Sequence, residues 1–157
     1  MLVFSKMSLD DFNLISPILQ SDFDSFWNIS ILKSELENTN SYYIVAKSEN
    51  DIVGFGGLWK SVDDIHITNI VTKKTLRNKG IGNAILNELI NQAKNFGYNI
   101  ITLEVNENNT PAISLYKKFG FKEVGIRKKY YNNIDNTIIM NLEVWCTMCD
   151  VRTIKND

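Results

Sequence analysis

Proline and cysteine are scarce in this chain of 157 residues, two of each, and there is a single histidine. Two cysteines are too few for a disulfide-held scaffold. Cys146 and Cys149, spaced Cys-x-x-Cys near the C-terminus, have no second pair or histidine cluster to complete a zinc site. Redox motifs of this spacing usually open a helix after a strand, so two reduced bystander thiols and no metal are the expectation. No apolar run is long enough to cross a bilayer, and MLVFSKMSLDDF lacks the apolar segment of a signal peptide. A cytoplasmic protein with no membrane contact is therefore expected. Both common glycine-rich phosphate patterns, Gly-x-x-x-x-Gly-Lys-Ser/Thr and Gly-x-Gly-x-x-Gly, are also missing.

A dominant charge of one sign is absent too, since the net charge is −1, yet the two parts of the chain differ. Residues 1–66 hold 10 acidic side chains against 4 lysines, whereas residues 67–157 hold 13 basic against 8 acidic. Such asymmetry fits a C-terminal part that holds an anion and an N-terminal part that faces a cation; a solvated surface without a message is the commoner case. No interleaved aromatic and basic stripe points to nucleic acid. With 44% hydrophobic and 22% charged residues, the length suits one compact core. The expected organisation is one domain over residues 1–145 and a polar tail over 146–157.

Pattern changes along the chain place the elements. LVFSK reads as a strand, followed by Ser8 as N-cap with Asp11 in the capping-box position and a helical stripe that Pro17 should kink or end. SFWNISILKSELEN reads as a second helix. YYIVAK, DIVGFGGLW and IHITNIV are β-rich runs separated by turn-like SEND and KSVDD, an antiparallel meander. Ile81, Ile85, Leu89 and Ala93 then repeat every four residues in a helix that Gly97 should stop. IITLEV follows as a strand, so the β-helix-β crossover makes it parallel to IHITNIV. Thr110 as N-cap and Pro111 as N1 should open a short helix that Gly120 closes, and FKEVG with NTIIMNLEV should form a terminal hairpin. The fold class is α/β with a mixed sheet.

One stretch carries chemistry. TLRNKGIGNAIL, residues 75–86, places Arg77, Lys79, Gly80 and Gly82 where a strand gives way to a helix. A helix N-terminus presents unpaired N–H groups and the positive end of its dipole, and glycine lets an anion approach them. Taken alone, a basic connecting turn reads equally well. Glu104 sits within IITLEV on the face opposite Ile101, Leu103 and Val105, towards water or a cleft. Tyr116, at helical spacing from Ala112, Ile113 and Phe119, reads as a core tyrosine with its hydroxyl at the rim. His66 begins its strand, several residues before the strand's end, which suits a surface residue or a proton relay better than a base. RKKY, residues 127–130, reads as a solvated basic loop.

Arg77-x-x-Gly80-x-Gly82, with Asn109, Leu115, Tyr116, Gly120 and Phe121, resembles the GNAT acetyltransferases. The runs ITNIVTKKTLRNKGIGNAILNELI, LEVNENNTPAISLYKKFGF and RKKYYNNIDNTIIMNLE are similar in order and spacing to the RimI-type branch, the ribosomal-protein alanine N-acetyltransferases. The resemblance implies the acyl-CoA N-acyltransferase fold: an N-terminal antiparallel meander joined to a parallel β-α-β unit that binds acetyl-CoA. It implies that Arg77, Asn78, Lys79, Gly80, Ile81, Gly82 and Asn83 hold the pyrophosphate, that Ile70 and Val71 align the pantetheine through their backbone, and that Asn109 holds it from the other side. Glu104 matches the general base, with partial burial expected to raise its pKa, and Tyr116 matches the acid that protonates the thiolate. Phe26 with Trp27 stand where the branch carries an aromatic pair, and Trp27, Tyr130 and Tyr131 are the expected acceptor-cleft residues. The implied acceptor is a primary amine, first the N-terminal alanine of ribosomal protein S18. Alternatives are a small amine, polyamine, antibiotic or lysine side chain, or an acyl-CoA-binding module without catalysis.

Overall fold

The computed structural model describes residues 1–23, 28–128 and 135–145. Strands are β1 (Leu2–Lys6), β2 (Ser41–Ser48), β3 (Asp51–Lys60), β4 (Ile65–Thr72), β5 (Ile100–Asn106), β6 (Lys122–Arg127) and β7 (Thr137–Glu143). Helices are α1 (Leu9–Ile15), α2 (Ile29–Glu37), α3 (Ile81–Asn95) and α4 (Thr110–Lys118). The strands form a mostly antiparallel sheet in the order β1-β2-β3-β4-β5-β7-β6. The one recorded parallel pairing joins β4 to β5, as the long crossover requires. Two compact units share the chain, Met1–Lys60 with Thr68–Asn91 and Ser61–Ile67 with Gln92–Asp157.

In the first unit, local signals set the boundaries. Ser8 Oγ accepts from the Asp11 N–H while the Asp11 carboxylate accepts from the Ser8 N–H, so the capping box is complete. Asp11 is buried, and Lys47 on β2 reaches its carboxylate at 2.9 Å, which fastens α1 to the sheet. Burial alone would push this carboxyl up, but the Ser8 hydrogen bonds and the Lys47 charge together hold it below the usual range. Pro17 ends α1: a 3₁₀ turn (Ser16–Ile18) and a π turn (Leu19–Phe23) follow. Asn28 caps α2 by accepting from the Ser30 N–H. Between β2 and β3, Glu49 and Asn50 both have positive φ, 52° and 73°, the backbone of a two-residue hairpin loop whose twist matches its strands. Met7, Phe12, Ile15, Leu19, Phe23, Leu32, Tyr43 and Phe55 are among the residues that close the core of this unit.

Glycines bring α3 and β4 close to β3. A Cβ on Gly54 would lie 2.7 Å from the Ile85 side chain and 2.8 Å from the Val71 carbonyl oxygen; one on Gly56 would lie 2.8 Å from Ile85 and 3.2 Å from the Asn69 carbonyl. These positions therefore fix where the end of β4 can sit.

In the second unit, the two helix ends are built alike. Tyr98 N–H donates to the Ala93 carbonyl and Gly97 N–H to that of Lys94, with Gly97 at φ 91°. Phe121 and Gly120 repeat this on Tyr116 and Lys117, with Gly120 at φ 100°. Both are Schellman endings, which need the left-handed residue that glycine supplies. α4 differs from expectation at its start: Asn109, not Thr110, is the N-cap, its Oδ1 accepting from the Ala112 N–H. Either residue can cap, and Pro111 is tolerated at the first or second helical position, so spacing alone could not decide. β7 pairs antiparallel with both β5 and β6, which confirms the β6–β7 hairpin and places β7 between β5 and β6.

Replacing Gly54 by alanine should lower stability by about 1–3 kcal/mol, because a backbone oxygen cannot be moved as cheaply as a side chain. The urea midpoint should fall with an unchanged slope. An unaltered midpoint would mean that β4 gives way freely and that the glycine is not required there.

Candidate active site

The expected anion loop lies wholly in the first unit. Lys74 Nζ donates to the Gln20 carbonyl at 3.3 Å and Arg77 Nη2 to the Phe23 carbonyl at 3.1 Å, so both cations anchor the turns after α1. Arg77 uses one of five N–H donors in this bond. Beyond it the backbone alternates in hand, with Asn78 at φ 64° and Gly80 at φ 83°. Successive N–H groups in such a run converge into anion-binding concavities. The Ala84 N–H donates to the Gly80 carbonyl, which makes Gly80 the N-cap of α3. Having no side chain, it cannot turn back to satisfy the first N–H groups of the helix, those of Ile81, Gly82 and Asn83. Asn78, Lys79, Gly80 and Asn83 are exposed, and Val71 is buried at the end of β4 with Ile70 half-buried before it.

Gly82 tests whether a phosphate group fits. A Cβ there would meet only the Thr72 hydroxyl, at an ordinary 3.8 Å, and Gly82 has no positive φ. Folding does not require a glycine at this position, and alanine would serve the helix better. A glycine there leaves the backbone open to close approach by a group from outside the chain. The loop therefore fits a diphosphate.

Glu104, Asn109 and Tyr116 lie in the second unit. Alternation along β5 is as expected, with Ile101, Leu103 and Val105 buried and Glu104 on the opposite face. Glu104 keeps 35% of its side chain exposed, and its Oε1 lies 2.9 Å from Arg127 Nη2. Arg127 thus ends β6 in an ion pair and is not part of a loop, Lys128 after it is exposed and outside the strand, and residues 129–130 of RKKY lie outside the described residues. On the same face, two residues earlier, the Thr102 hydroxyl lies 2.7 Å from the Asp64 carboxylate and 3.0 Å from Asn141 Oδ1. The hydroxyl has one proton for these two acceptor oxygens, and the shorter contact is the one to the carboxylate. The other Asp64 oxygen lies 3.1 Å from His66 Nε2. His66 stands beside Thr102 in the β4–β5 register, so it belongs to a polar chain across the strands.

Tyr116 on α4 meets Phe121 edge-on with ring centroids 5.9 Å apart. Burial pushes its phenol pKa above the ordinary value of 10.0, so it carries its proton throughout the neutral range. Asn109 spends its Oδ1 on the cap, and the loop before it is tied to the start of β7: Asn106 Nδ2 donates to Asp135 and the Asn136 N–H donates to Glu107. Trp27, Tyr130 and Tyr131, with Phe26, lie outside the described residues, as do Cys146 and Cys149. Among the described residues no cluster of three metal-ligating side chains occurs, and no helix is long and apolar enough to cross a membrane.

Sequence reasoning missed Arg127, Asp64 and Thr102, and in the first unit Tyr43, whose hydroxyl accepts from Asn69 Nδ2 at 2.6 Å. Burial, offset in part by its Thr68 and Asn69 hydrogen bonds, pushes this phenol up to about 12. The Arg127, Thr102 and Tyr43 contacts join segments far apart in the chain, so spacing gave no signal for them; Asp64 precedes β4, two residues from His66.

Residues 12–121 match the model of the Acetyltransferase (GNAT) family. The chain belongs to that family. A Haemophilus influenzae relative named [ribosomal protein bS18]-alanine N-acetyltransferase is 33% identical, over 89% of this chain and 97% of its own length. A Bacillus subtilis relative that bears the same name provisionally is 35% identical, over 91% and 93%. The crystal structure of the Escherichia coli ribosomal-protein-S18-alanine N-acetyltransferase superposes with a TM-score of 0.81 at 24% identity, covering 94% of this chain and 96% of that one. A GNAT acetyltransferase from Elizabethkingia anophelis, solved with acetyl-CoA bound, superposes at 0.70 with 22% identity, over 91% and 98%. The protein is an acetyl-CoA-dependent N-acetyltransferase.

Gly82→Ala separates folding from cofactor binding. It should leave stability unchanged or raise it by about 0.5–1 kcal/mol, as for glycine replacement in a helix. Titration calorimetry should meanwhile show acetyl-CoA affinity weakened by about tenfold or more, the loss of roughly one hydrogen bond to a charged group. Undiminished affinity would remove the diphosphate from this loop.

Proposed function

We propose that this cytoplasmic enzyme acetylates the α-amino group of a protein N-terminus, the N-terminal alanine of ribosomal protein S18. The observation that carries the acceptor is the near full-length match, at 33% identity, to the Haemophilus influenzae relative named for that reaction. No observation favours a small amine, polyamine, antibiotic or lysine side chain, or a role without catalysis. The acidic balance of residues 1–66 suits a basic peptide as partner. Neither membrane nor direct nucleic-acid contact has a part in this reading, and no metal is needed.

Acetyl-CoA supplies an acetyl group activated as a thioester. The N–H groups of Ile81, Gly82 and Asn83, with those of Asn78, Lys79 and Gly80, hold its diphosphate, and the cations of Arg77 and Lys79 steer it. The backbone of Ile70 and Val71 aligns the pantetheine arm, and a Val71 or Ile70 N–H polarises the carbonyl oxygen on which negative charge develops. Asn109 supports the arm from the start of α4. Glu104 accepts a proton from the acceptor ammonium, and Tyr116 gives its phenolic proton to the sulfur as it leaves. Trp27, Tyr130 and Tyr131 shape the acceptor cleft. An α-amino group has a pKa of about 7.7–8.0 against about 10.4 for lysine, so roughly a tenth is already the free base near pH 7. A carboxylate suffices as base for that substrate.

The test is acetylation of a peptide carrying the S18 N-terminal sequence, with the product mapped by mass spectrometry and coenzyme release followed in time. The modification should fall on the α-amine. Glu104→Gln and Tyr116→Phe should each lower kcat by about 10²–10⁴ while acetyl-CoA still binds. Acetylation confined to lysines of the peptide would remove the proposed acceptor, and full activity in both variants would remove the proposed acid and base.

A further inference from the structure

We propose that Arg127 is a positioning residue for acetyl transfer, one that fixes the Glu104 carboxylate by a single oxygen and leaves the other for the acceptor's ammonium. The inference rests on the reading of Glu104 as the base. Its geometric ground is the strand order: β7 lies between β5 and β6, so Arg127 is not on a strand adjacent to Glu104. Glu104 stands opposite Ile139 on β7, and Ile139 stands opposite Gly125 on β6. Arg127 is two residues beyond Gly125, on the same face, opposite Thr137. Two strand spacings, about 10 Å, separate the backbones of β5 and β6. The guanidinium nonetheless comes within 2.9 Å of Glu104 Oε1. Only two long side chains stretched towards each other over β7 make that contact, and Gly125 leaves the intervening face without a side chain on β6.

Both partners are solvent-accessible, with Arg127 62% exposed, so the pair does little for folding. Its consequence is orientation. A glutamate free to rotate on a strand face samples several rotamers, whereas one gripped through Oε1 presents Oε2 in a narrow range of directions. A base needs such restriction, because small misplacements of a reacting group cost large factors in rate. The guanidinium also shapes acceptor binding. It repels an ammonium that comes to the same carboxylate, so Arg127 does not tighten the acceptor's ground-state binding; its gain is realised in proton transfer.

A double-mutant cycle in kcat tests this, with acetyl-CoA affinity and thermal stability measured on each variant. Arg127→Ala should lower kcat by about 10–100-fold, the range for outer partners of a reacting group, without raising the acceptor KM and without altering acetyl-CoA affinity or melting temperature. Arg127→Lys should recover part of the loss, since it keeps charge and reach but not the planar fork. In a Glu104→Gln background, Arg127→Ala should cost less than about twofold, because no carboxylate remains to position. Equal losses in both backgrounds, or a kcat within twofold of the parent for Arg127→Ala alone, would overturn the proposal. If Glu104→Gln is itself fully active, the reading of the base has failed instead.

Discussion

Three helices of this protein begin with a side chain that satisfies their own first N–H groups: Ser8 before α1, Asn28 before α2 and Asn109 before α4. The longest helix, α3, begins at Gly80, which has none to offer. Leaving a helix N-terminus without a side-chain cap costs about 0.5–2 kcal/mol. Among the described helices α3 is the one whose N-cap residue is glycine, and Gly82 in its first turn is a second. The arrangement makes sense when the missing partner comes from outside as an anion, in a family whose cosubstrate carries a diphosphate. Much of the first unit supports this turn. Gly54 and Gly56 admit α3 and the end of β4 to the surface of β3, and Lys74 and Arg77 tie the approach to the turns after α1.

What the sequence made legible was local. The capping box at Ser8, the break at Pro17 and the stops at Gly97 and Gly120 each depend on hydrogen bonds within a few residues, so composition at a fixed spacing reveals them. The parallel pairing of β4 and β5 could be read as well, because a helix of 15 residues between two strands leaves no other short connection. Where two residues next to each other could do the same work, as Asn109 and Thr110 could at α4, spacing did not discriminate. Side-chain contacts between distant strands were not legible. Nothing near RKKY marks Arg127 as the partner of a glutamate 23 positions earlier, since that contact depends on β7 entering between β5 and β6. Resemblance to a family named Glu104; only the sheet order supplied what holds it.

His66 shows how partners decide a residue's work. By its ordinary pKa, histidine is the default base near neutrality. Here its Nε2 faces Asp64, and the second Asp64 oxygen is bound to the Thr102 hydroxyl, which Asn141 completes. An imidazole held in a chain of that kind is fixed at the beginning of β4, whereas Ile70 and Val71 are at its end. Among the described residues Glu104 is held by Arg127 through one oxygen, which on the proposed reading leaves the other for a substrate proton.

The charge asymmetry of the chain can now be resolved into particular pairs. Taken as a field, the excess of cations after residue 66 would act as a diffuse attractor for anions. Several of these cations are committed at short range: Lys74 and Arg77 to carbonyl groups of Gln20 and Phe23, Lys117 to Glu123 at 3.3 Å and Arg127 to Glu104. A cation paired with a carboxylate contributes less to attraction at long range, whereas Lys74 and Arg77, bonded to neutral carbonyls, keep their charge; salt screens all of them beyond about 8–10 Å. On the proposed reading, the cations steer the anion and the backbone selects it. Oriented N–H groups at a helix N-terminus act at contact distance and can match the shape of a phosphate, which a net charge spread over half a sequence cannot do.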